Sequence, residues 1–332
     1  MFTFKTGRPS RDSSMPRILS FSLKAALSVT LLYFAVAGID PTALGERLQS
    51  LKFGWMLVTV VLAFFQLFLL AARWRKIAGA CGAQLPLRRA FRLSLIAAFF
   101  NQVLPSTVGG DGMRIWLFAR DGTGWAKATH SVLLDRFVGV LALAIMVIAC
   151  LPWTLVLIKD PIGRATLLVI GAGSIGGAAV FLALGYLRWG WLQQWSAVRH
   201  LMQMSQTARQ FLFSIRIGVP VLAFSLVIHA LTAAVASCAA LAVDATFGFV
   251  QAIQLIPPVM LIATIPISVA GWGVREKSLV TAFAYAGLST TDGLLVSVLL
   301  GVTILMVGIV GGIVWLIAPD RSNGDRAMPN AD

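Results

Sequence analysis

Apolar residues fill this chain in long blocks, and polar residues gather in the short stretches between them. Blocks at 18–38, 54–72, 131–151, 165–187, 218–243 and 293–317 each approach the roughly 20 residues an α-helix needs to cross a hydrocarbon core. This pattern predicts six full spans. Two further apolar segments are interrupted. One covers 90–104, breaks, and resumes over 113–120. The other covers 252–265, contains Pro257-Pro258, breaks, and resumes over 274–287.

The two breaks are alike. Leu104-Pro105-Ser106-Thr107-Val108-Gly109-Gly110-Asp111-Gly112-Met113-Arg114 returns as Ile265-Pro266-Ile267-Ser268-Val269-Ala270-Gly271-Trp272-Gly273-Val274-Arg275. The offset is constant and ungapped (266 − 105 = 161; 275 − 114 = 161). Paired Gly/Pro interruptions in corresponding halves of a membrane protein point to its binding site.

Charge decides how the broken segments are threaded. Loop 73–92 carries Arg73, Arg75, Lys76, Arg88, Arg89 and Arg92 without an acid. Loop 188–217 carries Arg188, Arg199, Arg209 and Arg216, also without an acid, and the N-terminal tail is basic. The positive-inside rule places all three in the cytoplasm. A single crossing by each broken segment would put loop 188–217 outside. Hairpins that dip in and return satisfy every basic loop. The expected fold is therefore an all-α polytopic membrane protein, an inverted repeat of six full spans plus two re-entrant helical hairpins, eight hydrophobic segments in all. The expected organisation is a basic cytoplasmic tail (1–17), a first membrane repeat (18–151), a second (165–318) and a disordered cytoplasmic tail (319–332). Ala35-Val36-Ala37 resembles a signal-peptidase site, but the preceding apolar run exceeds the usual 7–15-residue signal core, so an uncleaved first helix is expected.

Composition narrows the function classes. The chain is 58% hydrophobic and 12% charged, against about 25% charged in soluble domains. A net charge of +14 would suggest nucleic acid in a soluble protein. Here the basic residues sit between apolar spans and suit anionic lipid headgroups instead. Cys81, Cys150, Cys238, His130, His200 and His229 are scattered, so neither a metal site nor a disulfide framework is expected. No nucleophile, Walker-type or nucleotide-binding motif is present, so no catalytic residue and no cofactor is expected.

The candidate chemistry lies in the motifs. Gly110, Gly112, Gly271 and Gly273 permit unusual backbone angles and close ligand approach. Arg114 and Arg275 stand near the starts of the following helices, where unpaired N–H groups favour anions. A guanidinium fork matches phosphate. The alternative is that the glycines serve helix packing and the arginines snorkel. Asp111 occupies the place of Trp272 and can pair with Arg114 or take up a proton. Asp135 and Arg136 lie in an apolar run, as a cavity wall or as an interfacial pair marking a helix start. Glu276 is a candidate charge balance for Arg275. Asn101 and Gln102 either bind a headgroup or satisfy the broken backbone. Gln66 and His229 are helix–helix hydrogen bonds or relay groups.

These residues carry a family resemblance. Asn101 to Ser106, Gly109 to Arg114, Ser131-Val132-Leu133-Leu134-Asp135-Arg136-Phe137-Val138-Gly139 and Pro266 to Glu276, in that order, resemble the flippase-like family. That family comprises the transmembrane region of lysylphosphatidylglycerol synthases and their stand-alone relatives. The resemblance covers about residues 18–318. It implies a bacterial inner-membrane protein that handles lipids; the motif arginines point to an anionic phospholipid or a polyprenyl-phosphate-linked lipid, and the charge pattern puts both termini in the cytoplasm. The synthase activity belongs to a soluble aminoacyltransferase half that the sequence does not contain, so no enzyme activity is expected. The leading expectation is a lipid flippase or transporter. The alternatives are a membrane-embedded transferase on lipid-linked substrates and a non-catalytic partner of a lipid-synthesis enzyme.

Overall fold

The computed structural model describes residues 49–104, 109–186, 196–212, 214–265 and 271–317, with Thr30, Tyr33, Gly45 and Ser268. Apart from Thr30 and Tyr33, the expected span over 18–38 lies outside the described residues, as do both terminal tails. So do Pro105, Ser106, Thr107 and Val108 of the first break, and Pro266, Ile267, Val269 and Ala270 of the second.

The described residues form ten helices and no strand. They are α1 (Phe53–Ala80), α2 (Leu87–Val103), α3 (Gly109–Phe118), α4 (Trp125–Leu157), α5 (Pro161–Leu184), α6 (Ser196–Leu212), α7 (Gly218–Ala242), α8 (Phe249–Ala263), α9 (Val274–Tyr285) and α10 (Thr290–Ile317). A one-turn π-helix, Ala119–Thr123, links α3 to α4. Five helices (α1, α4, α5, α7 and α10) are long and apolar enough to cross a membrane. They coincide with the five expected spans that fall on described residues. The chain is an all-α polytopic membrane protein.

The two halves share a plan. Shifting α2 by the motif offset (87 + 161 = 248; 103 + 161 = 264) lands within one residue of α8 at each end. The same shift carries α1 and α4 onto α7 and α10 to within about four residues, and α3 onto α9 to within about six. Packing follows the same pairing: α2 lies on α10 as α4 lies on α8, and α1 lies on α2 as α7 lies on α8. The equivalent helices α1 and α7 pack directly on each other and run antiparallel. Lys52 N–H donates to Ala242 O at one end (2.8 Å), and Arg73 donates to Ser225 near the other (3.1 Å).

Each broken segment is a helix pair whose limbs return to one end of the bundle. Arg89 at the start of α2 forms an ion pair with Asp121, just beyond α3. Phe247, just before α8, packs its ring 4.7 Å from that of Phe283 near the end of α9. Trp74 and Phe118 centre the core of the first half. Leu255, Ile256, Leu279, Phe283 and Leu295 centre that of the second.

α1 shows how one helix serves two solvents. Leu57, Val61, Phe65 and Phe68 recur at helical spacing and are exposed, the stripe a lipid-facing helix presents. Thr59, Gln66 and Arg73 recur every seven residues and turn inward. Gln66 Nε2 donates to Thr232 Oγ1 (2.7 Å) and to Ile228 O (3.3 Å). His229 bonds Gly139 O at 2.9 Å. Both mid-span polar residues are therefore helix–helix ties. Replacing Gln66 with leucine is expected to cost about 0.6 kcal/mol, the average for such a bond in a bundle. Thermal unfolding in detergent checks this, and an unchanged midpoint would show that the tie is idle.

Two sequence expectations are corrected. Arg73 does not belong to a cytoplasmic loop: α1 continues to Ala80, and Arg73 is buried inside it because Asp135 compensates its charge. Residues 188–217 are not all loop, because 196–212 form α6. Its buried Met202, Ser205 and Ala208 share one face, while Arg199 and Gln203 are exposed. Ser205 Oγ ties it to the end of α5 by accepting from Gly185 N–H (2.9 Å).

Candidate functional site

Arg275 lies in the first turn of α9, whereas Arg114 falls in the middle of α3 and not at its start; both are 5% exposed. Neither snorkels. Each is held by a carboxylate and a tryptophan, reached by different routes.

In the first half, Arg114 Nη2 donates to Asp135 Oδ2 (3.1 Å) and Nη1 to Asp111 Oδ1 (3.4 Å). Asp135 is 2% exposed and also accepts from Arg73 Nε (2.9 Å). Asp111, 6% exposed, also accepts from Arg136, whose side chain is one-third exposed. Three guanidinium groups thus meet two carboxylates, joining α1, α3 and α4. The Arg114 guanidinium lies 4.0 Å from the Trp74 ring centroid, and Trp74 Nε1 donates to Ser131 Oγ (3.3 Å). Charges buried among apolar helices persist only when paired in this way. Two nitrogens of Arg114 are bonded, but Nε is buried with no partner among the described residues. Ser94 Oγ and Ser268 Oγ share that condition.

In the second half, Arg275 donates to Glu276 Oε1 from Nη2 (2.6 Å) and Nε (3.1 Å). Ser297 Oγ donates to the same oxygen (3.2 Å) and accepts from Arg275 Nε (3.2 Å). Glu276 Oε2 accepts from Gly273 N–H (2.6 Å), and Glu276 is fully buried. The Arg275 guanidinium lies 5.1 Å from the Trp272 ring.

The glycines have separate reasons. Gly271 and Gly273 both have φ of +82°, a region that L side chains avoid. A Cβ on Gly110 would lie 2.2 Å from Ala97 O, so this glycine lets α2 and α3 close on each other. Gly112 is exposed and meets nothing within 4 Å. Asn101 Oδ1 accepts from Gly110 N–H (2.8 Å), satisfying the broken backbone.

The structure brings Asp111, Arg114, Asp135 and Arg136 into one cluster and Arg275, Glu276 and Gly273 into another. Asp135 and Arg136 do not mark a helix start: α4 begins at Trp125, so Asp135 sits within the helix and is buried there. Sequence reasoning missed Arg73, Trp74, Ser225 and Ser297. Arg73 carried a signal, because it extends the Thr59–Gln66 spacing by another seven residues. Among the described residues, no group of three metal-ligating side chains occurs.

A polytopic helical bundle with charge clusters buried at paired helix breaks defines a membrane protein built around an internal polar site. Residues 21–312 match the family model described as the lysylphosphatidylglycerol synthase TM region. The chain belongs to this family. No curated protein matches it.

Proposed function

We propose that the protein moves an anionic, phosphate-bearing lipid headgroup between leaflets through the paired helix breaks. It acts as a flippase or transporter without covalent chemistry, in a bacterial inner membrane. In this reading the helix pairs α2–α3 and α8–α9 are re-entrant hairpins of an inverted repeat. The antiparallel packing of the equivalent helices α1 and α7 supports this, because a twofold axis between antiparallel spans lies in the membrane plane. Arg75, Lys76, Arg88, Arg89 and Arg92 are exposed where α1 gives way to α2, and Arg216 is exposed just before α7. The Arg73–Ser225 bond places both groups at one end of the bundle. The positive-inside rule makes that end cytoplasmic, and both termini with it.

The observation that carries the reading is Arg114, a guanidinium buried among apolar helices with one N–H unsatisfied. Acyl chains stay in the bilayer while the headgroup meets this cluster. The test is transfer of fluorescent phosphatidylglycerol across reconstituted vesicles, read by dithionite quenching. Arg114→Gln is expected to slow transfer at least tenfold, since a hydrogen bond to a charged group contributes about 1.5–3 kcal/mol. Equal rates for wild type and a folded Arg114→Gln protein would sink the assignment.

A further inference from the structure

We infer that the two repeats share the site unequally. The first receives the anionic group of the lipid, and in the second that place is held by the chain's own Glu276 carboxylate. The inference rests on the headgroup reading above and names the half that takes the ligand.

An anion at a helix start beside an arginine takes a backbone N–H and a guanidinium. Glu276 already takes both. One oxygen accepts from Gly273 N–H (2.6 Å), and the other from two nitrogens of Arg275 (2.6 and 3.1 Å) and from Ser297 Oγ (3.2 Å). A phosphodiester oxygen seeking Arg275 would have to evict this fully buried carboxylate and leave it unpaired. Breaking a buried ion pair in that way is strongly unfavourable.

In the first repeat Asp135 and Asp111 take the two Nη nitrogens of Arg114 (3.1 and 3.4 Å), and no carboxylate reaches its Nε. Ile115 stands where the offset puts Glu276 (115 + 161 = 276). The N–H of Gly110 is capped by the neutral amide oxygen of Asn101 (2.8 Å). Arg114 Nε has no partner among the described residues, whereas Arg275 Nε donates to both Glu276 and Ser297. Ser268 Oγ, buried and unbonded in the second motif, makes no bond to the Arg275–Glu276 pair. The unsatisfied guanidinium N–H of Arg114 is where a monoanionic oxygen of phosphodiester type is accepted.

The test counts binding sites for dihexanoyl phosphatidylglycerol on the purified full chain by native mass spectrometry. Wild type is expected to bind one molecule and Arg114→Gln none. Glu276→Gln, which removes the charge at constant volume, is expected to bind two, and Arg114→Gln/Glu276→Gln one. Glu276→Ser provides a second variant, and size exclusion confirms that each is folded. One site in both Glu276 variants, or two on wild type, overturns the stand-in and leaves the headgroup reading intact. No site on wild type with one gained in Glu276→Gln supports the stand-in and overturns the headgroup reading at the first repeat. No site on any form overturns both. Displacement of the probe by equimolar inorganic phosphate overturns the lipid headgroup as the source of the anion, while the division between repeats stands.

Discussion

Asp135→Ala is expected to cost about 3–5 kcal/mol and to abolish recovery of folded protein from detergent. Asp135 is 2% exposed and accepts from Arg73 at 2.9 Å and from Arg114 at 3.1 Å. Its removal leaves two buried guanidinium groups short of a carboxylate. Arg73 would keep only Ser225 among its bonded partners, and Arg114 only the longer contact to Asp111. Both cations are buried, at 4% and 5% exposure. Asp135→Asn keeps the volume and loses the charge, so it should fail almost as badly. That separates a charge effect from a packing effect. Arg136→Gln is expected to be mild, because that side chain is already one-third exposed. Thermal midpoints and monodisperse yield measure all three. An Asp135→Ala protein as stable as wild type would mean the cluster does not hold α1, α3 and α4 together.

The fold was legible because a membrane simplifies its own code. A span must be a helix that satisfies its own backbone, so block length alone locates α1, α4, α5, α7 and α10. The breaks were legible from Gly, Pro and the constant offset. α6 was not, because it mixes apolar with polar residues such as Arg199, Gln203, Gln206 and Arg209 instead of forming a block. Within the site, local pairs could be read from spacing: Asp111 with Arg114 is three residues apart, and Glu276 adjoins Arg275. Arg73 with Asp135, and Ser225 with Arg73, could not, since they depend on which helices become neighbours. Trp74 was invisible for the same reason. It accounts for the mismatch between Asp111 and Trp272 across the two motifs. Each arginine receives one aromatic face and at least one carboxylate. In the first half the ring comes from α1 and the acid from the motif, and in the second the ring comes from the motif and the acid from the helix after it.

The second large effect is expected at Gly311, where one methyl group should separate two helices. A Cβ there would stand 1.9 Å from Leu95 O and 2.6 Å from Leu95 C. These are backbone atoms of α2, so no rotamer change relieves the contact and the helix itself must move. Overpacking in a well-filled core typically costs about 1–3 kcal/mol, and an immovable backbone neighbour puts Gly311→Ala at or beyond the upper end. Gly176 on α5 is the internal control, since nothing lies within 4 Å of its Cβ position. Gly176→Ala should be neutral or stabilising by up to about 1 kcal/mol, the propensity difference between Gly and Ala in a helix interior. Opposite signs in thermal unfolding for the two substitutions are the expected outcome, and a tolerated Gly311→Ala would disprove the close approach. The equivalent position in the first half is Cys150 (311 − 161 = 150), so the contact between α4 and α8 is built without this glycine. Because α2 carries Asn101 and closes onto α3 at Gly110, displacing it also moves the turn that presents Arg114. Gly311→Ala should therefore slow lipid transfer even in the fraction that folds, through a residue that touches neither motif.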